Sequence, residues 1–416
     1  MKITLGYGSS FQSVDVPDRN IVSVLGANNV RTKYRDEAAV KHALMNPIGS
    51  PRLRDIVKPG QSIAIITSDI TRPMPTAKVM PLLLDELYEG GVSADDIKLL
   101  FAIGSHRHHT EGEMRKLAGE KAWSEITCID SDPDDCVMLG ETSRGTPIEI
   151  TREVACADVR ICLGNVEYHY FAGYSGGAKA LMPGCSTPAA ISVNHSMMLD
   201  PRCRTGNVLD NPLREDLEEA ASIVGIDFIL NVVLDEGKDI VYACAGDYIK
   251  AHRDGCRFLD SMYSVQIPMK ADIVIAANSG APKDASLYQN QKALDNASRA
   301  VRPGGTVILV GECSEGLGSK VFEEWMNEAA KPEDLIERLR KGFVLGGHKA
   351  TAIAMVLEKA RIYLVSEMSD DEVRNCFMEP YGTVQDAFNH AFGHYGEEAT
   401  VIVMPYGGTT LPTIMK

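Results

Sequence analysis

The 416-residue sequence has no Lys- or Arg-rich run, no apolar stretch of bilayer-spanning length, no C-x-x-C pair and only two tryptophans. Each absence excludes something. A formal net charge of −15 without a basic cluster argues against nucleic acid or an anionic membrane as a partner, while leaving room for a small anion in a local positive pocket. The start, MKITLGYGSSFQSVDVPD, lacks a basic segment followed by an apolar core, so it is not read as a signal peptide, and a cytoplasmic protein is expected. Ten cysteines scattered singly fit neither a zinc ribbon nor a disulfide framework. They are expected to be reduced and mostly buried as small apolar residues.

What is present is the composition of an ordinary globular protein, with 44% hydrophobic and 24% charged residues. The length exceeds what one core supports, so two domains are expected. β-Branched runs alternate with amphipathic ones: strands at Met1–Tyr7, Gly60–Ser68, Ile97–Ile103 and Ala157–Gly164, with helices at Asp36–Met45, from Pro75 to Gly90, Glu111–Leu117 and Leu213–Val224. A long polar helix near Asp247–Val265 reads as a connector. The pattern then restarts with a strand at Ala271–Asn278, a helix at Ser286–Val301, a Pro303-Gly304-Gly305 turn and a strand at Thr306–Gly311. Helices at Ser319–Ala329, Pro332–Lys341 and Lys349–Ala360 precede a strand at Arg361–Val365. The expected fold is α/β: an N-terminal doubly wound, mainly parallel sheet (1–265) plus a smaller α/β C-terminal domain (266–398), with the active site in the cleft between them. Whether the last strand and tail (399–416) return to the first domain is left open by the sequence.

The densest chemistry lies in Asn165–Asp200, NVEYHYFAGYSGGAKALMPGCSTPAAISVNHSMMLD. A short apolar strand leads into the glycine turn Gly173-Tyr174-Ser175-Gly176-Gly177. Ser186-Thr187-Pro188 then caps a helix. His169, Lys179 and His195 surround that turn. A glycine turn alone is most often only a turn, and a single histidine only structural; their joint placement is what asks for an explanation. Two further polar loops, Asp69–Arg72 and His106–His109, also follow strands. Loops after parallel strands share one edge of a sheet, so the three are expected to converge. His106, His108 and His109 invite a metal reading, but adjacent histidines rarely reach one ion together, and a general base among them is the better expectation.

Taken together, Asp69-x-x-Arg72-Pro73, Gly104-x-His106-Arg107, His169 followed by Tyr174-Ser175-Gly176-Gly177-x-Lys179, then Asn194-His195, and Tyr288-Gln289-x-x-Lys292 form a set. In content and order this set resembles the lactate racemase family, and the likeness covers essentially the whole chain. The resemblance implies two α/β domains and a nickel-pincer nucleotide. That cofactor is a pyridinium mononucleotide whose thioamide and thiocarboxylate hold Ni through two sulfurs and a ring carbon. It implies that Lys179 carries the cofactor covalently through the thioamide and that His195 is the Ni ligand, a planar sulfur, carbon, sulfur, nitrogen set that suits Ni(II). Asp69, Tyr174, Ser175, Gly176 and Gly177 lie in its cofactor-binding stretches. His106 and His169 are implied as the paired acid/base histidines, and Arg72, Tyr288, Gln289 and Lys292 as substrate-binding residues. The implied reaction inverts C2 of a small-molecule 2-hydroxy acid by hydride transfer to and from the cofactor.

One departure bears on the substrate. The resemblance implies a tryptophan of the second domain against the pocket, whereas Trp123 and Trp325 match no such stretch, and Phe343 and His348 stand in the region that would replace it. Lactate, malate, an aryl acid and a sugar acid therefore all stay open, as does the oligomeric state. A nicotinamide-dependent 2-hydroxyacid oxidoreductase is the first alternative, weakened because no G-x-G-x-x-G follows the first strand. A non-enzymatic nucleotide- or metal-binding protein is the second, and it would need no pair of bases.

Overall fold

In the computed structural model, which describes Met1–Met415, the chain divides into two units. One is Val30–Asp260. The other joins Met1–Asn29 to the chain from Ser261 onward.

The Val30–Asp260 unit is built on a six-stranded sheet. Its order is Ile240–Gly246, Phe228–Leu234, Val159–Asn165, Ile63–Ser68, Ile97–Ala102, Thr127–Asp130. Every neighbouring pair is parallel except the first, which is antiparallel. The central strand Ile63–Ser68 buries its first five residues in succession, as a strand covered on both faces must. Helix Thr76–Glu89 covers one face with Val79, Met80, Leu83, Leu84 and Leu87, all at 0% exposure. Their i, i+4 spacing is what makes that stripe. Helix Asp36–Met45 adds Ala39, Val40, Ala43 and Leu44 to the same core.

The second unit holds another six-stranded sheet, all of its pairs parallel. The order is Glu379–Tyr381, Arg361–Val365, Val301–Val310, Ala271–Ala277, Val401–Met404, Ile21–Val24. An N-terminal hairpin, Lys2–Tyr7 with Ser10–Asp15, places Ile3, Leu5, Tyr7 and Val14 in this unit's core.

The division differs from the expected one at both ends. Residues 1–29 fall in the second unit, because Ile21–Val24 finds its hydrogen-bonding partner in Val401–Met404. The tail belongs there too: Val401–Met404 pairs with Ala271–Ala277, and Leu411–Ile414 with Ser264–Ile267. A four-residue apolar run states that it needs an edge but not which edge. The Pro303-Gly304-Gly305 turn lies inside the Val301–Val310 strand as an irregularity, the register stepping from Ala271↔Val301 to Ile273↔Thr306. The polar connector is a helix at Lys250–Tyr263, and the boundary between the units falls within it. All ten cysteines are free thiols and seven are buried. No helix among the described residues is long and apolar enough to cross a membrane.

Candidate active site

The three polar loops leave three adjacent parallel strands. Ile63 is in register with Val159 on one side and Ile97 on the other, so the loops after Ser68, Ala102 and Asn165 emerge side by side from the same edge. The His106 turn is also tied to the segment following Lys179. Gly104 N–H donates to the Gly184 carbonyl at 2.9 Å, and the Ser131 hydroxyl donates to that same oxygen at 3.2 Å.

The glycine loop is held from below. Arg214 is fully buried on helix Pro212–Val224, and its guanidinium donates to the carbonyls of Ala172 and Gly176 (3.3 Å each) and Tyr174. Its fork geometry lets one side chain serve three alternate carbonyls of the loop, which otherwise has only the two-residue pairing of Tyr168–His169 with Gly173–Tyr174. Asn231 accepts the Gly177 N–H at 2.9 Å, and the His252 Nε2–H donates to the Ser175 carbonyl at 2.8 Å. Ser175 donates to the Asn165 carbonyl and accepts the Glu167 N–H, while Tyr168 and Tyr174 both donate to Asp260. Tyr174 and Ser175 thus anchor the loop through their hydroxyls. At Gly173, with φ +78°, an added Cβ would lie 2.1 Å from the Asn207 carbonyl oxygen. Gly173→Ala is therefore expected to cost at least about 1–3 kcal/mol from backbone strain alone, with the clash in addition, read as a lowered denaturant midpoint.

Above this floor the ring of Phe171, itself buried, gathers three of the expected residues. The His169 ring meets it edge-on at 4.4 Å, the His195 ring at 4.9 Å, and Lys179 Nζ lies 5.9 Å from its centroid. Lys179 is half-buried overall. Desolvation of its amine, with the guanidiniums of Arg214 and Arg72 nearby, holds its pKa well below the ordinary lysine value and favours the neutral amine. His195 sits in the last turn of helix Pro188–Ser196, whose start is capped by Thr187. Its Nδ1 meets Asn194 Oδ1 at 3.0 Å. The Asn194 amide nitrogen donates to the Leu213 carbonyl and to Asp216, so its oxygen is the acceptor, His195 Nδ1 carries the proton, and Nε2 of the neutral ring carries the lone pair.

Asp69 is buried, and its carboxylate is divided between two partners. Oδ2 meets His106 Nδ1, while Oδ1 accepts from the Thr71 N–H (3.0 Å) and hydroxyl (2.6 Å). Burial alone would raise its pKa, but the His106 and Thr71 hydrogen bonds outweigh it and hold the carboxyl below its ordinary value. A carboxylate only accepts, so His106 also carries its proton on Nδ1 and presents a lone pair at Nε2. His169 is set the other way, its Nδ1 accepting the Ala172 N–H at 3.3 Å. Arg72 is exposed and has no carboxylate ion-pair partner among the described residues.

The remaining expected residues lie in the second unit. Tyr288, Gln289 and Lys292 occupy the first turns of helix Leu287–Ala300, capped by Ser286, with Gln289 and Lys292 exposed. Lys349 lies over the Tyr288 ring at 3.9 Å and donates to the Tyr288 carbonyl at 2.6 Å. Phe343 and His348 are in ring contact at 5.0 Å, and burial, with Lys349 beside it, lowers the His348 pKa to about 3, keeping it neutral. Trp325 is buried against Gly347 and stacked under Arg338. Among the described residues, the three-histidine turn included, no group of three His, Cys, Asp or Glu side chains is placed to hold a metal ion.

Sequence reasoning passed over Phe171, Arg214, Asn231 and Lys349. Arg214 left a signal, since it shares the buried stripe of its helix with Leu213, Leu217 and Ala221, where a charge needs a reason. Asn231, inside an apolar strand, left a weaker one.

Matches to known proteins follow the same outline. The model of the lactate racemase N-terminal domain matches residues 7–206 and that of the lactate racemase C-terminal domain residues 266–411. The lactate racemase of Thermoanaerobacterium thermosaccharolyticum is 34% identical over 417 residues, covering 97% of each chain. That of Lactiplantibacillus plantarum is 32% identical, covering 97% of this chain and 98% of its own. The solved structure of the T. thermosaccharolyticum lactate racemase apoprotein superposes with a TM-score of 0.89 at 33% identity, covering 99% of this chain and 100% of that one. A Thermotoga maritima protein at 17% identity and a TM-score of 0.63 shares the fold alone. Matched by both domain models and by relatives over nearly its whole length, the chain belongs to the lactate racemase family and is an isomerase.

Proposed function

We propose that this protein inverts C2 of a small 2-hydroxy acid by hydride transfer, with His106 and His169 as acid/base residues and a nickel-pincer nucleotide carried on Lys179. The observation that carries the proposal is the gathering of Lys179, His195 and His169 around Phe171, on the loop next to an Asp69-oriented His106.

The residues fit that cofactor. A thioamide to Lys179 requires a neutral amine, which desolvation and two nearby guanidiniums favour. A nickel ligand requires an unprotonated ring nitrogen, and the Asn194 contact leaves the lone pair of His195 on Nε2. When bound, the nucleotide supplies the acceptor and donor of the hydride. Gly176 and Gly177 would line its place together with Tyr174, Ser175 and Asp69, the last three through the loop geometry they hold. His195→Ala is expected to lower nickel content per protein, measured by elemental analysis; undiminished nickel with normal turnover would make this histidine structural.

Hydride transfer answers a chemical difficulty. Removing the Cα proton of a 2-hydroxy acid would build a carbanion beside a carboxylate that already carries negative charge. Removing hydride from C2 and the proton from the hydroxyl gives a neutral 2-keto group instead. In one direction His106 takes that hydroxyl proton at Nε2, and Asp69 stabilises the resulting imidazolium. For the inverted product, protonated His169 would supply the proton to the keto oxygen from the opposite face. The 3.3 Å Ala172 contact lies at the long end of the hydrogen-bond range, so His169 gives it up at little cost on protonation. The reverse reaction exchanges the two roles. The Arg72 guanidinium suits the substrate carboxylate, and Gln289 and Lys292 are the candidate substrate-binding residues of the second unit.

The names of the relatives make lactate the first substrate to test. Protein purified from a host that makes the cofactor should contain nickel, absorb beyond the protein bands and interconvert the lactate enantiomers. If nickel and absorption are present without lactate turnover, other 2-hydroxy acids are next. Racemisation by protein free of nickel would overturn the proposal.

A further inference from the structure

Two of the three clustered histidines have no part in the reaction just described, and one of them is fully enclosed. The His109 side chain is 1% exposed, packed edge-on to Phe101 at 5.6 Å. Its Nδ1 meets Asp130 Oδ1 at 2.6 Å, and its own N–H donates to Asp130 Oδ2 at 2.8 Å. On the other side of the ring, Nε2 faces the backbone N–H of Ile70 at 3.0 Å. An amide N–H only donates and a carboxylate only accepts, so both contacts are satisfied by one form alone: the neutral imidazole with its proton on Nδ1.

Ile70 is the residue after Asp69, in a loop with little else to hold it. Asp69 Oδ1 is already occupied by Thr71, two residues on, and its Oδ2 faces His106. Ile70 itself is exposed. The His109 ring therefore bridges the end of the Thr127–Asp130 strand to the loop that orients His106. The titratable and charged groups around it are Asp130, His108 on Asp130 at 3.2 Å, Asp69, and the Arg107–Glu113 pair.

We infer that His109 is a positioning residue for the reaction: by tying the Ile70 amide to Asp130, it holds the Asp69 carboxylate where His106 needs it. The inference rests on the reading of His106 as an acid/base residue. It gives a buried histidine a task that neither metal binding nor proton transfer to substrate supplies.

Two substitutions separate the halves of the bridge. His109→Asn keeps a polar group at the position of Nδ1, for Asp130, and leaves the Ile70 N–H without its acceptor. His109→Gln places an amide oxygen at the position of Nε2 and keeps that acceptor. In nickel-loaded protein, His109→Asn is expected to lower kcat/KM by about 10- to 100-fold, the cost of a misplaced catalytic group. The Ile70 and Thr71 amides should exchange faster with deuterium, while the mass of the Lys179 adduct stays unchanged. His109→Gln should keep most of the rate and the wild-type exchange at Ile70. If His109→Asn folds poorly, Asp130→Asn, which still offers His109 an oxygen, should show the same shifts at smaller size.

Equal losses in both variants would reduce His109 to packing and overturn the inference. Unchanged exchange at Ile70 in His109→Asn would overturn it as well. His106→Asn, run alongside, keeps the two ideas apart. Full activity there would reject the acid/base reading, while amide exchange would still decide whether His109 anchors the loop.

Discussion

Replacing Lys179 with alanine is expected to return the intact mass of the purified protein to its sequence mass and to abolish racemisation, a loss of about 10⁶-fold or more, because the whole cofactor-dependent acceleration goes with it. The argument starts from the amine. It lies near the buried Phe171 ring, and desolvation, with Arg214 and Arg72 adding repulsion, holds its pKa well below that of an ordinary lysine. Only the unprotonated form has the lone pair with which to form a thioamide. Lys179→Arg sharpens the test, since it keeps a cation of similar reach but stays charged at any working pH. It should carry no adduct and show no activity. An unmodified wild-type mass with full activity would end the idea of covalent attachment.

The second large effect is expected at the two histidines proposed as acid and base. His106→Asn and His169→Asn should each lower racemisation in both directions by about 10²–10⁴-fold, since every complete inversion uses both proton transfers. Both variants should retain the adduct mass, which separates a lost base from a lost cofactor. With substrate deuterated at C2, the wild type should keep the label in the product, because hydride does not exchange with water. Early washout of deuterium would indicate abstraction of the Cα proton and overturn hydride transfer. Asp69→Asn is expected to follow His106→Asn at smaller size, since the amide can still accept from Nδ1 but no longer stabilises an imidazolium with charge.

The loops were legible because their chemistry is local in sequence. His169, Lys179 and His195 lie within 27 positions of one another, and the glycine turn, the Thr187 cap and Pro188 announce a strand, loop and helix. That the three polar loops emerge together followed from the parallel alternation and is what the register of Ile63 with Ile97 and Val159 shows. Pairings between distant segments left no such trace. Nothing near Asp69 marks His106 as its partner, nor does His109 announce that it receives the Ile70 amide. Arg214 reaches the carbonyls of Ala172, Tyr174 and Gly176 from a helix about 40 residues on, and only its place on a buried stripe hinted at a task.

By itself the sequence determined the α/β class, the identity of the polar loops, and the family to which those motifs belong. Periodicity and turn residues act within a few positions, so they survive reading in one dimension. Tertiary structure alone decided that Met1–Asn29 belongs with the chain after Ser261, because Ile21–Val24 needs an edge strand that lies about 380 residues away. It also decided which nitrogen of each candidate-site histidine bears the proton in the neutral ring: Asp69 sets it for His106, Asn194 for His195, Ala172 for His169. A side chain states what it can donate or accept, but its partner is selected by packing, and packing is settled only when every buried polar group has been satisfied at once.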